Sequence, residues 1–268
     1  MIDHVAAAFL RTVSEGLLLF GGVFALAVAL WFVSQFVRAY GGGLLGRTYY
    51  YVVAPGVACH ETGHALGCLL TRTKILEFVP FRPEGETLGY VSHESRPGVW
   101  PQIAQFFIST GPVWFGCAVI LLLSRLFAGP DFLPSFDALA PRPGEPASVH
   151  LKGMWYGAVW MLQTVFAPWR WKTPLFPVFL YLVFCIASEI TLSPSDLNGM
   201  WKGLAAIVGA LFVLNLIPVV SDGLAHGVDA LRPAVFTLHT LLFFVLLVDV
   251  VFLAAMRLVW GLLARRRR

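Results

Sequence analysis

Apolar stretches about as long as a helix needs to cross the hydrocarbon core of a bilayer, ~20 residues, recur along this chain. The first, residues 16–36, contains no charged side chain. Others follow at 49–70, 103–127, 175–190, 199–217 and 234–263. Backbone amides cannot stay bare in lipid, so each such stretch is expected to be helical. Composition agrees, since 58% of residues are hydrophobic and only 13% are charged, too little charge to cover a soluble surface of this size. The expectation is an all-α polytopic membrane protein of about six transmembrane helices. It forms a single membrane domain, 1–268, with no internal repeat and no separate soluble unit.

Two connections are long. Residues 72–100 hold two apolar stretches around a turn rich in charge and glycine, which predicts a small β-hairpin after the second span. Residues 129–174 include the aromatic-rich stretch 153–168, short for a comfortable span and expected to be interfacial or re-entrant. The first apolar run is too long for a signal-peptide core and reads as a retained span. Cys59, Cys68, Cys117 and Cys185 all lie in apolar segments and read as buried thiols. Net charge is +4, and four of the nineteen basic residues form the terminal run Arg265–Arg268. A basic cluster directly after an apolar helix marks the cytoplasmic face and meets anionic lipid; it is not a nucleic-acid site. Six spans put both termini on that side. They also put there the loop with Arg72, Lys74, Arg82 and Arg96 and the short turn around Asp196.

The chemistry concentrates in Cys59-His60-Glu61-Thr62-Gly63-His64. Histidines at i and i+4 project from one helical face, ~40° apart about the axis, so two imidazoles can share one tetrahedral metal. Glu61 lies ~60° from His64 and flanks the pair. From there it can take a proton from metal-activated water and pass it to a leaving amine. Three ionisable groups in the middle of a span are costly and point to function. The bland alternative is helix glue, with the same side chains bonded to neighbouring helices.

A catalytic zinc keeps three protein ligands and an open position, so a third is needed. Asp196 lies in Ser193-Pro-Ser-Asp-Leu-Asn-Gly199, a break between two apolar segments, where it can reach the histidines or serve as an ordinary helix cap. Asp222, after Asn215-Leu-Ile-Pro218, competes, with a solvated turn as its other reading. Cys68 is close to the histidine face and reads as a packed thiol. Glu189 can orient a ligand from outside the coordination sphere or bond a neighbouring helix. His4, His93, His150, His226 and His239 have no partner at metal spacing and read as structural or solvent-facing. Gly63 and Gly67 mark a close-packing face, for a neighbouring helix or an approaching substrate.

Within a span, Pro55-Gly-Val-Ala-Cys-His-Glu-Thr-Gly-His-Ala-Leu66 resembles the site-2 protease class of intramembrane zinc metalloproteases. Leu88-Gly-Tyr-Val91, Gly111-Pro-Val-Trp-Phe-Gly116 and Ser193-Pro-Ser-Asp-Leu-Asn-Gly199 are similar to later segments of that class, so the resemblance covers roughly 49–218. It implies Zn2+ on His60, His64 and Asp196, with Glu61 as catalytic base. The class also shows an Asn-x-x-Pro stretch followed by an Asp-Gly pair. Asn215–Pro218 and Asp222-Gly223 look similar, with shorter spacing and with the pair beyond the span. The implied activity is cleavage of a transmembrane segment of another membrane protein, with the strand at 74–81 pairing with the unwound substrate. The competing readings are a non-catalytic metal-binding or structural membrane protein and a zinc hydrolase of a non-peptide substrate.

Overall fold

The computed structural model describes residues 2–84, 87–94, 97–129, 132–134, 139–140, 142 and 145–266. Gly85 and Glu86 of the expected hairpin turn, Arg96, and the terminal Arg267 and Arg268 lie outside the described residues.

The chain is mostly helical. Helices α1 (Ile2–Gly16) and α2 (Gly22–Leu45) run on through a π-helical turn, Leu17–Gly21. The short α3 (Thr48–Val52) and α4 (Ala54–Leu70) follow, then the strands β1 (Ile75–Val79) and β2 (Tyr90–His93). Next come α5 (Val99–Ala128), α6 (Ala147–Val165), α7 (Phe176–Glu189), α8 (Pro194–Asn215) and the long α9 (Pro218–Arg266). Among the described residues four helical stretches are long and apolar enough to cross a membrane: Asp3–Leu45, Val99–Ala128, Pro194–Asn215 and Pro218–Leu263. They mark a membrane protein. Many large apolar side chains on the outside are exposed, Leu126 and Val219 among them.

Two of the six expected spans are not in that group. The 49–70 stretch breaks at Val53, where Pro55 in the first turn starts a new helix, leaving α4 with 17 residues. The 175–190 stretch yields α7 with 14. At ~1.5 Å per residue both fall short of the ~30 Å hydrocarbon core. The first and last spans are conversely longer than their apolar runs. Hydropathy registers where side chains are apolar, whereas a helix continues as long as its backbone bonds do. The polar residues of α1, Arg11, Thr12 and Glu15 among them, extend the helix without extending the apolar run. Of the stretch 153–168, residues 153–165 lie in α6, which starts six residues earlier and packs on α9, and the rest lies beyond its end.

The expected hairpin is present: β1 and β2 pair antiparallel, with Val79 opposite Tyr90, Ile75 opposite His93 and a bulge between Ile75 and Glu77.

α4 packs chiefly on α5 and α7, α5 in turn on α8, and α9 on α2 and α6. The short α4 is thus held between the long α5 and the likewise short α7. Glycines make the packing tight. A Cβ at Gly63 would stand 2.6 Å from the Pro112 nitrogen, and one at Gly67 would stand 2.7 Å from the Ile108 Cα. The Gly-x-x-x-Gly face is therefore taken up by α5. On the other side, a Cβ at Gly56 would collide with the Cys185 carbonyl of α7. The main core cluster joins α2, α5, α6, α7 and α9 through residues such as Leu30, Ile120, Met161 and Leu242.

Candidate metal centre

α4 carries His60 and His64 one turn apart, and their rings meet with the two Nε2 atoms 3.1 Å from each other. What orients them is backbone. His60 Nδ1–H donates to the Glu189 carbonyl at 2.8 Å, and His64 Nδ1–H donates to the Ile108 carbonyl at 2.8 Å. A carbonyl only accepts, so each Nδ1 carries a proton, and in the neutral ring each Nε2 presents a lone pair.

Both carbonyls are available for local reasons. Pro112 stands four residues after Ile108 inside α5 and has no N–H, so the helix leaves the Ile108 oxygen without its usual donor. Glu189 is the last residue of α7, where carbonyls lack intrahelical partners. Its oxygen also accepts from Thr191 N at 2.8 Å.

After α7 the chain runs non-helically through Ile190–Ser193 and re-enters a helix at Pro194. Ser193, and not Asp196, is the N-cap; Asp196 occupies the third helical position and closes the capping box from there. Its carboxylate supports the helix start and also lies beside the histidines. Its Oδ2 accepts from Ser193 N at 2.9 Å and from Ser193 Oγ at 2.6 Å. Its Oδ1 faces the histidines, 3.4 Å from His64 Nε2, while Oδ2 lies 3.9 Å from His60 Nε2. One ligand atom from each of His60, His64 and Asp196 falls within 4.8 Å of the others.

Two imidazole nitrogens and a carboxylate oxygen are donors that could hold a metal ion such as zinc. Tetrahedral bonds of ~2.0–2.2 Å to nitrogen and oxygen give ligand–ligand edges of roughly 3.3–3.5 Å; two edges here, 3.1 and 3.4 Å, are close to that, and the His60–Asp196 edge is longer, 3.9 Å at Oδ2. The chemistry of the donors points the same way. Two imidazole nitrogens and a carboxylate oxygen converge, and a bound cation would offset the repulsion among their lone pairs.

Glu61, 8% exposed, lines the same cleft and makes no hydrogen bond among the described residues. Gly89, just before β2, closes over it: a Cβ there would stand 2.8 Å from Glu61 Cγ. The cleft measures about 740 Å³ and is bounded by α4, α7, the start of α8 and the segment 87–93. Its strand wall is β2; β1, the strand expected from sequence to meet a substrate, does not line it.

Of the other sequence candidates, His93 and Glu189 line this cleft and the rest lie elsewhere. Asp222 pairs with Arg11 at 3.2 Å and its side chain is 74% exposed. Cys68 is buried with Ala104 and Ile108. His4 bonds the Leu216 carbonyl and His226 the Asp222 carbonyl. His150 and His239, far apart in sequence, meet at 3.1 Å. Glu189 accepts from His60 through its backbone carbonyl, while its carboxylate bonds Arg38 of α2 at 2.9 Å.

Sequence reasoning missed Arg38 and Ser193. A cation closing the first apolar run was the available signal for Arg38; the Ser-x-x-Asp spacing was the signal for Ser193. Ser193→Ala is expected to weaken zinc binding ~10–100-fold, with a stability loss of about 1 kcal/mol. Zinc titration against a chromophoric chelator measures the first effect and thermal unfolding in detergent the second. Unchanged affinity would show that Asp196 needs no support from the cap.

Comparison with protein-family models, with curated proteins and with solved structures finds no match.

Proposed function

We propose that the protein is an intramembrane zinc metalloendopeptidase that hydrolyses a peptide bond in the transmembrane segment of another membrane protein. The observation that carries this reading is the pair of Nε2 lone pairs 3.1 Å apart, turned toward the free oxygen of Asp196, with an unbonded carboxylate, Glu61, in the same cleft. The resemblance of the histidine segment and its neighbours to site-2 proteases supports it.

His60, His64 and Asp196 would hold the zinc. When bound, zinc polarises a carbonyl oxygen and makes water acidic enough to lose a proton near neutral pH. The chain's own groups do the rest. Glu61 accepts the proton as water adds to the scissile carbonyl, then delivers it to the departing amide nitrogen as the C–N bond breaks. Glu189 and Ile108 keep both imidazoles in the ligating tautomer. The extended substrate pairs with β2, which lines the cleft and has one edge already bonded to β1. The cleft's polar lining, including Gln35, Ser109, Thr191 and Ser193, admits the water that hydrolysis consumes.

All six apolar segments lie at membrane depth in this reading. The short α4 packs on α5 and α7, and α7 in turn on α2, α5 and α9; both termini face the cytoplasm, as the terminal arginines suggest.

The test is cleavage of model transmembrane peptides by purified protein of measured zinc content. Cleavage that stops on chelation and returns with zinc is expected. Stoichiometric zinc without cleavage of any peptide would turn the reading toward a structural metal site or a non-peptide substrate.

A further inference from the structure

A second cleft, about 500 Å³, adjoins the metal cleft and shares His93, Gln105, Ile108 and Ser195 with it. It lies between the end of α4, the starts of α5 and α8, and the base of the hairpin, where Lys74 enters it and His93 and Glu94 leave it. Its charge is one-sided. Arg72, Lys74 and Lys202 line it and make no ion pair among the described residues; Glu94 is the acidic residue lining it. The first turn of α5, which supplies Trp100, Pro101 and Gln102, carries neither a side-chain cap nor an acidic residue, so its amide dipoles add positive potential.

Arg72 stands out further. With φ at +57° it is the one non-glycine residue in the left-handed region among those described. That position, just past the end of α4, is one where glycine is favoured because a Cβ is strained there. An arginine in that place points to a use for its side chain.

We infer that this cleft seats an acidic stretch of the substrate flanking its scissile membrane segment, with the stretch's carboxylates on Arg72, Lys74 and Lys202. The inference rests on the endopeptidase reading and adds the substrate's chemistry to it. A peptide is favoured over an anionic lipid headgroup because the cleft is continuous with the metal site, so a chain lying across His60 and His64 runs directly into it.

The experiment uses full-length protein in zwitterionic nanodiscs and three peptides sharing one membrane segment, with an acidic, a neutral or a lysine-rich flank. Wild type is expected to cleave the acidic peptide about tenfold more efficiently in kcat/KM than the neutral one. R72E combined with K202E is expected to reverse the order in favour of the lysine flank while retaining zinc. Arg72→Gly removes one charge and relieves the backbone, so it keeps the test alive if the double variant misfolds; it is expected to reduce the preference. Anisotropy of a soluble acidic peptide reads the cleft without catalysis, and its affinity is expected to drop about tenfold in the double variant.

Equal rates for all three flanks, with charge-independent binding, would overturn the cleft assignment and leave the enzyme reading intact. Absence of any cleavage, with binding still dependent on Arg72 and Lys202, would remove the endopeptidase and keep the cleft as a site for acidic peptide. Loss of peptide binding by wild type when anionic lipid is added to the nanodiscs would assign the cleft to headgroups and overturn the proposal.

Discussion

Glu61→Gln is expected to leave zinc in place and to lower kcat about 10³-fold, the contribution typical of a positioned general base. Glutamine has nearly the volume of glutamate, so the contact beneath Gly89 and the packing of α4 on α5 survive. No metal ligand is lost, because the converging atoms belong to His60, His64 and Asp196. What disappears is a group able to accept a proton in a cleft where no other carboxylate is both unbonded and beside the histidines: Asp196 is bonded to Ser193 and Glu189 to Arg38. Single-turnover cleavage alongside elemental analysis separates the two effects. A variant that lost its zinc would make Glu61 part of the binding site. One that kept activity within about tenfold of wild type would move the base elsewhere.

Asp196→Asn is expected to cost more zinc affinity than the ~10–100-fold seen on losing an outer partner, whereas Asp222→Ala is expected to cost none. The one oxygen of asparagine can still accept from Ser193 N, so the start of α8 is kept while an amide nitrogen replaces the anionic oxygen facing His64. Asp222 binds Arg11 at the protein surface. Zinc titrations of the two variants, with unfolding curves to verify that α8 remains docked, provide the comparison. The reverse pattern, with Asp222→Ala losing metal and Asp196→Asn retaining it, would refute the ligand set.

How much could be read before the structure depends on where each piece of information lies. The histidine pair was legible because four residues along a helix return a side chain to nearly the same face, and Glu61 came with it. The hairpin was legible from two apolar stretches about a turn. Asp196 was legible as one of two acids, since its approach to His64 depends on α8 folding back onto α5, which leaves no local trace. The orienting groups, the Ile108 and Glu189 carbonyls, were not legible at all: every residue has a carbonyl, and what singles these out is a neighbouring defect or a helix end. Helix lengths erred in both directions because apolar runs follow side chains and helices follow backbone bonds. The shortness of α4 and α7 has its own logic, for α7 must stop where Ile190–Ser193 carries the chain past the histidines to Asp196.

The proline inside α5 has a wider meaning. A transmembrane helix normally satisfies every one of its own polar atoms, which makes it chemically mute toward its neighbours. Omitting one amide hydrogen at Pro112 gives α5 a single acceptor that only another helix can fill, and His64 fills it. The bundle thereby gains a directional latch that uses no side chain of α5, and the register of α4 against α5 is tied to the direction in which one imidazole ring points.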